Sequence, residues 1–276
     1  MGLPVFSNAF GTLYHPMAIH RLIDLSLNAT EIPETTFVER FPGQFSSFYT
    51  HGSINANSPD QLKQLLKHKQ ETFKNNISKA KVLFITWGSA WAYHHFEHLF
   101  LCANCHRQAH HNFNKSLTDV NELVQSAIST LHLLKHFNPN LRVVITISPV
   151  KHLKDGLRNN LISKSVLHLA VHLLQSQLSE IYYFPSFEYI QEDLRDYRFY
   201  NMDLAHPNHA ALEYVWDKFK STFYTKESLQ LITLLESYSA LKAHNPMQVP
   251  ELHAASIDRL IKKINALLPD WNPFPY

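Results

Sequence analysis

Arg142-Val143-Val144-Ile145-Thr146-Ile147-Ser148-Pro149-Val150 is the stretch on which the fold turns. It is rich in β-branched side chains, lacks the polar alternation of a half-buried strand, and stops at a serine and a proline. Such a run reads as a strand buried on both faces, the kind found in parallel sheets. Two more runs repeat the pattern: Lys81-Val82-Leu83-Phe84-Ile85-Thr86, ending in Trp87-Gly88, and Ile181-Tyr182-Tyr183-Phe184, ending in Pro185-Ser186. Between them, residues 59–78, 118–137 and 160–178 carry helical spacing, and Asp119-Val120-Asn121-Glu122 has the composition of a helix first turn. Strand and helix alternate, which predicts a doubly wound α/β sheet with ligands beyond the carboxyl ends of its strands.

Downstream, Pro207 is expected to open a helix over residues 210–223, placing His206 at the helix entrance. From Thr225 onward two further helices are expected. They are broken near Asn245-Pro246 and Val249-Pro250 and followed by the Pro- and aromatic-rich tail Trp271-Asn272-Pro273-Phe274-Pro275-Tyr276. The expected division is an α/β domain over residues 1–223 and a helical appendage over 224–276. No internal repeat or low-complexity tract interrupts it.

Composition narrows the function classes. With 276 residues, 45% hydrophobic and 17% charged, the chain can bury a large core. Its 25 Lys and Arg against 23 Asp and Glu leave a charge of +2, without the basic footprint that a phosphate backbone requires, so no nucleic-acid partner is expected. Only 6 Gly are present and no glycine-loop spacing occurs, which argues against nucleotide cofactors. No apolar stretch reaches the ~20 residues of a membrane span. Met1-Gly2-Leu3-Pro4-Val5-Phe6 has no export pattern and the 2 Cys build no disulfide framework, so a reducing, cytoplasmic setting is expected.

Three constellations can carry chemistry. In Asp203-Leu204-Ala205-His206 a carboxylate three residues before a histidine can orient the imidazole through one ring nitrogen while the other faces a nucleophile; the alternative is a solvated Asp beside a helix-capping His. Gly88 and Ser89 follow the first strand, and Ser148 with His152 and Asp155 follow the second, where a parallel sheet faces its substrate crevice. The Gly88 N–H and the Asn104 amide are candidate oxyanion donors, against ordinary turn chemistry. Cys102-Ala103-Asn104-Cys105-His106, with His110 and His111 nearby, has haem-attachment spacing and can be drawn as part of a zinc site. In a chain with 19 His, coincidence explains it as well, and no metal is expected. His168 and His172, four apart on a helix, read as ordinary semi-buried histidines.

Several ordered segments together resemble one family. They are Asn8-Ala9-Phe10-Gly11 with Tyr14 and Pro16, the patch from Phe45 to His51, Gly88-Ser89-Ala90-Trp91, Ala103-Asn104-Cys105-His106 and Ser148-Pro149-Val150 with His152. Asp155-Gly156, Asn160, Ser163-Lys164, the run from Leu194 to Tyr200, and Asp203 to Pro207 complete the series. This series resembles the GSCFA domain family, itself similar to SGNH (GDSL-like) hydrolases. The resemblance implies a three-layer α/β/α, flavodoxin-like fold. It also implies a Ser-His-Asp ester hydrolase acting on a small-molecule or carbohydrate ester, with no cofactor. Asp203 would orient the ring and His206 would be general base and then general acid. The Gly-Ser-Cys-Phe-Ala motif, with the serine and the first strand, is expected upstream of residues 8–16, and the chain begins after that point. Either the start has been cut or mis-assigned, or the serine is lacking and the chain is a non-catalytic ligand-binding relative. An absent first strand leaves a sheet edge uncovered, which favours a homodimer, compensation by another segment, or poor solubility. Related hydrolases carry a Gly-x-Asn block where this chain has Gly88-Ser89-Ala90, so Asn104 is the candidate amide donor. Cys105 is a conceivable substitute nucleophile only if its thiol ionises readily. Trp87, Trp91, Tyr93 and Tyr200 either stack on a sugar or belong to the core.

Overall fold

A computed structural model of the chain describes residues 5–243 and 250–269. The breaks expected near Asn245-Pro246 and Val249, and the tail from Trp271, lie outside the described residues. The first helix, α1 (Pro16–Leu27), lies ahead of the first helix expected from the sequence. Its start is set by Pro16 at the first helical position and by His15, whose Nδ1 accepts the Met17 N–H at 3.2 Å. A small antiparallel sheet follows, made of β1 (Phe37–Phe41), β2 (Gln44–Ser47) and β3 (Asn55–Ala56). Ser58 then caps α2 (Pro59–Lys79), accepting the Gln61 N–H.

The chain next forms β4 (Val82–Trp87). A second antiparallel sheet, of β5 (Trp91–His95), β6 (Leu101–Cys102) and β7 (Phe113–Leu117), has β5 in its centre. Asp119 caps α3 (Val120–Phe137) by accepting the N–H groups of Asn121 and Glu122, as its position in the sequence predicts. Then come β8 (Arg142–Ile147), α4 (Leu157–Gln177) and β9 (Ile181–Phe184), the last running into a short turn, α5 (Ser186–Glu188). The described helices end with α6 (His209–Phe223), α7 (Lys226–Ala243) and α8 (Pro250–Leu267).

The fold is mixed α/β. Strands β4, β8 and β9 form a parallel sheet in the order β4-β8-β9, flanked by helices, with Val82 opposite Arg142 and Val143 opposite Ile181. Val143, Val144 and Ile145 are all buried, so β8 is covered on both faces, as its unbroken apolar run requires. Helices α1, α3 and α4 contribute Ile23, Leu123, Leu134, Leu167 and Leu174 to the same core as Trp87 and Ile147. No described helix is long and apolar enough to cross a membrane.

Among the described residues β4 pairs with β8 alone and is an edge strand. The Arg142 N–H donates to the Lys81 carbonyl at 2.9 Å and the Ser148 N–H to the Trp87 carbonyl at 2.8 Å. The odd-numbered residues of β4 therefore face β8, and Val82 and Thr86 turn their backbone groups toward the open side. At the top of that side the Tyr14 carbonyl takes over, accepting the N–H groups of Gly88 at 2.8 Å and Ser89 at 3.0 Å.

Ser7–Leu212 form one compact unit, and the chain from Glu213 onward belongs to another. In the latter, α7 and α8 bury Leu235, Tyr238 and Ile264 against each other. Pro207 is not the first residue of α6, as had been expected. It pairs in an isolated bridge with Tyr200, and the helix starts at His209. Asn208 is the residue that marks the start, its Oδ1 accepting the Ala211 N–H at 3.2 Å.

Candidate active site

The loop between β9 and α6 builds the candidate Asp203–His206 pair from local chemistry. Asp203 Oδ1 accepts the backbone N–H groups of Ala205 at 2.9 Å and His206 at 3.0 Å, leaving Oδ2 to meet His206 Nδ1 at 2.6 Å. The His206 and Ala205 N–H groups, with the imidazole behind them, hold the Asp203 carboxyl down to about 2. Leu204 takes a left-handed φ of 56° to make this turn. The loop closes on itself through the Asn201 N–H to the His206 carbonyl, and through Asn208 Nδ2 to the Arg198 and Tyr200 carbonyls. The Lys151 N–H, just beyond β8, donates to the Ala205 carbonyl at 3.2 Å and ties the loop to the sheet. Lys151 Nζ lies 3.9 Å above the Tyr200 ring and 4.9 Å from that of Tyr197, a cation held against two aromatic faces.

His206 lines one end of a slot of about 500 Å³ that runs along the open side of β4. Its long walls are apolar, from Phe10 and Leu13 in the N-terminal segment, Leu22 and Ile23 of α1, Phe73 of α2 and Leu83 of β4. Its polar end is made by Gly88, Ser148, His152 and His206, so four of the expected site residues are brought together there. His206 Nε2 has no hydrogen-bond partner among the described residues, and the ring is more than half exposed, at 58%.

Of the two expected oxyanion donors, one is otherwise engaged and the other lies away from the slot. The Gly88 N–H is committed to the Tyr14 carbonyl, and a Cβ at Gly88 would lie 3.0 Å from that oxygen, so this glycine serves a close backbone approach. Asn104 is not among the residues lining the slot. Its Oδ1 accepts the His106 N–H at 2.8 Å and its own N–H donates to the Phe48 carbonyl, which fixes a turn in the second antiparallel sheet. Ser148 does line the slot, with its Oγ accepting the Val150 N–H at 3.3 Å. The His152 ring meets Tyr14 edge-on at 5.8 Å. Burial, reinforced by the Lys164 charge and opposed by Asp155, pushes the His152 imidazole below its ordinary value.

The Cys-x-x-Cys-His residues do not gather into a cluster of metal-type side chains among the described residues. Burial pushes the thiols of Cys102 and Cys105 up to about 12 and about 11, against the thiolate character that nucleophilic attack demands. His106 is buried, with its Nε2 against the Ser47 carbonyl at 2.8 Å, and the described residues contain no cluster of three metal-type side chains. Trp87 is wholly buried and belongs to the core, not to a sugar platform. The Trp91 indole N–H donates to the Asn159 carbonyl at 3.0 Å, with the Lys115 ammonium over its ring.

A family model for the GSCFA family matches residues 1–219. The chain belongs to the GSCFA family. Comparison with curated proteins gives no match. Within this GSCFA chain the matched region contains the whole slot together with Asp203 and His206. One participant escaped the residue-by-residue reading: Lys164 of the GSCFA-like Ser163-Lys164 pair. It is buried, and its Nζ donates to the Gly88 carbonyl at 2.7 Å and the Ser148 carbonyl at 2.6 Å. The signal was present in α4, where Lys164 occupies the helix face that also buries Leu167, Val171 and Leu174.

Proposed function

We propose that Asp203 and His206 of this GSCFA-family chain are the acid–base pair of an SGNH-type serine ester hydrolase, whose nucleophilic serine is not identified among the described residues. The observation that carries the reading is the 2.6 Å contact between Asp203 Oδ2 and His206 Nδ1 at the polar end of the slot. The carboxylate holds the proton on Nδ1 and leaves Nε2 as the base. Nε2 takes the proton of a serine hydroxyl as that oxygen attacks the ester carbonyl. The imidazolium then protonates the departing alkoxide, leaving an acyl-serine that water releases by the same base catalysis. The apolar walls suit the acyl portion of a small-molecule or carbohydrate ester, with the alcohol portion toward His206.

A second reading, a ligand-binding relative without turnover, is favoured by one observation: among the described residues no hydroxyl hydrogen-bonds His206 Nε2. A fluorophosphonate probe separates the two, read by intact mass on the full chain and on His206→Ala. Stoichiometric labelling abolished by His206→Ala is the result expected of the hydrolase, and peptide mapping then names the serine. No labelling of either protein shows that no serine of this chain is activated by His206, which the binding relative requires. Equal labelling of both removes His206 from the chemistry.

A further inference from the structure

Lys164 is a cation with almost no access to water, at 1% exposure, and no carboxylate lies within ion-pair distance of its ammonium among the described residues. A buried charge without a counter-ion is costly, and such groups persist where something else depends on them. Its two hydrogen bonds both go to carbonyl oxygens at strand ends: Gly88 O just past β4 and Ser148 O just past β8. These two residues also line the polar end of the slot. The neighbouring Ser163 hydroxyl adds to the clamp by accepting the Ala90 N–H at 2.8 Å and approaching the Ser89 hydroxyl at 3.3 Å.

We propose that Lys164 is a positioning residue of the candidate site. From beneath the slot it locks the carboxyl ends of β4 and β8 together and supplies a fixed positive charge behind the slot's polar end. The proposal rests on that end of the slot being the site, as argued above. A charge placed there stabilises negative charge developing in the slot, and it acts on the groups around it whether or not turnover occurs.

His152 reports that charge. It is faced by Lys164 from α4, Asp155 from the turn ahead of α4, Lys115 from β7 and the Tyr14 ring from the N-terminal segment, and His206 shares the slot's polar end. Lys164 and Lys115 disfavour its protonation, while Asp155 and the Gly88 carbonyl favour it. His168, one turn along α4 from Lys164, also feels Lys164, with Glu188 of α5 acting oppositely. For Lys164 itself the facing groups are the two carbonyls and the Phe187 ring at 5.9 Å. Burial pushes its amine down to about 8.

The test is a histidine-ring NMR titration of the full chain and of Lys164→Met, which keeps the length of the side chain and removes the charge. His152 and His168 are expected to titrate about half a pH unit or more higher in the variant, while His15 and His20, which Lys164 does not face, keep their midpoints. Unchanged His152 and His168 midpoints in a folded variant overturn the proposal, because a fixed charge behind the slot's polar end must act on both rings. If Lys164→Met does not fold, the unaltered protein decides the question. A second inflection of the His152 ring signals near pH 8, as Lys164 loses its proton, supports the proposal, and its absence overturns it. Neither readout depends on ester hydrolysis, so failure of the hydrolase reading and failure of this one are separable.

Discussion

Gly88 stands so close to the Tyr14 backbone that a methyl group there would sit 3.0 Å from the Tyr14 oxygen and 3.2 Å from its Cα. Neither atom is the yielding end of a flexible side chain, so the N-terminal segment itself must move. Gly88→Ala is therefore expected to cost about 1–3 kcal/mol and to loosen the slot wall over residues 8–14. A lower urea midpoint, with amide shifts concentrated at Gly11 to Tyr14, is the outcome sought; a midpoint equal to wild type would show that the segment yields freely. The same residue shows where sequence reading of the site stops. Asp203 and His206 were legible because their geometry is local, a carboxylate and an imidazole three residues apart in one turn. The Gly88 N–H was read as a free donor because its acceptor, Tyr14, is distant along the chain and lies in a segment whose pairing no local pattern announces. Lys164 was hidden for the same reason: its carbonyl partners come from two different strand ends.

At the level of elements, α1 and the residue before it are held to α3 and its approach by two buried imidazoles. His15 Nε2 lies 2.8 Å from the Thr118 hydroxyl, and His20 Nδ1 lies 2.9 Å from that of Ser126. Burial is the main cause that lowers both rings, His15 to about 4 and His20 to about 3 from an ordinary 6.5. Because the folded values lie below the unfolded one, the unfolded chain takes up these protons first. Stability from the neutral rings is full above about pH 6.5 and is lost as pH falls from there toward 4 and 3, at about 1.4 kcal/mol per pH unit per ring. Thermal unfolding followed between pH 7 and 4.5 should show this loss, and His20→Gln should reduce its slope. An unchanged slope would mean that these rings do not control the docking of α1. The helix itself was missed because its cap is a histidine, outside the usual Ser, Thr, Asp and Asn. β4, β8 and β9 were legible from unbroken apolar runs, and α3 from its Asp119 cap. The six short antiparallel strands were not, since pairs such as Phe45 with Ala56 or Tyr93 with Cys102 depend on partners rather than on pattern. At α6 a proline signal pointed to the right place, but Asn208 marks the start.

Across the whole molecule, burial is uneven about the central sheet. β8 is enclosed on both faces and bonded on both sides, whereas among the described residues β4 is paired in the sheet with β8 alone. This asymmetry divides a single strand into two populations of amide hydrogens. Those of Leu83, Ile85 and Trp87 point at β8 and should exchange with deuterium only when the sheet opens, in step with Val144 and Thr146. Those of Val82 and Thr86 should exchange far faster, in seconds rather than hours, although each lies within a residue or two of a slow neighbour. Residue-resolved exchange would read this as fast Val82 and Thr86 amides beside slow ones at Leu83, Ile85 and Trp87. A uniformly slow β4 would instead show that another strand occupies the slot in solution, and its concentration dependence would tell whether that strand comes from a second copy of the chain.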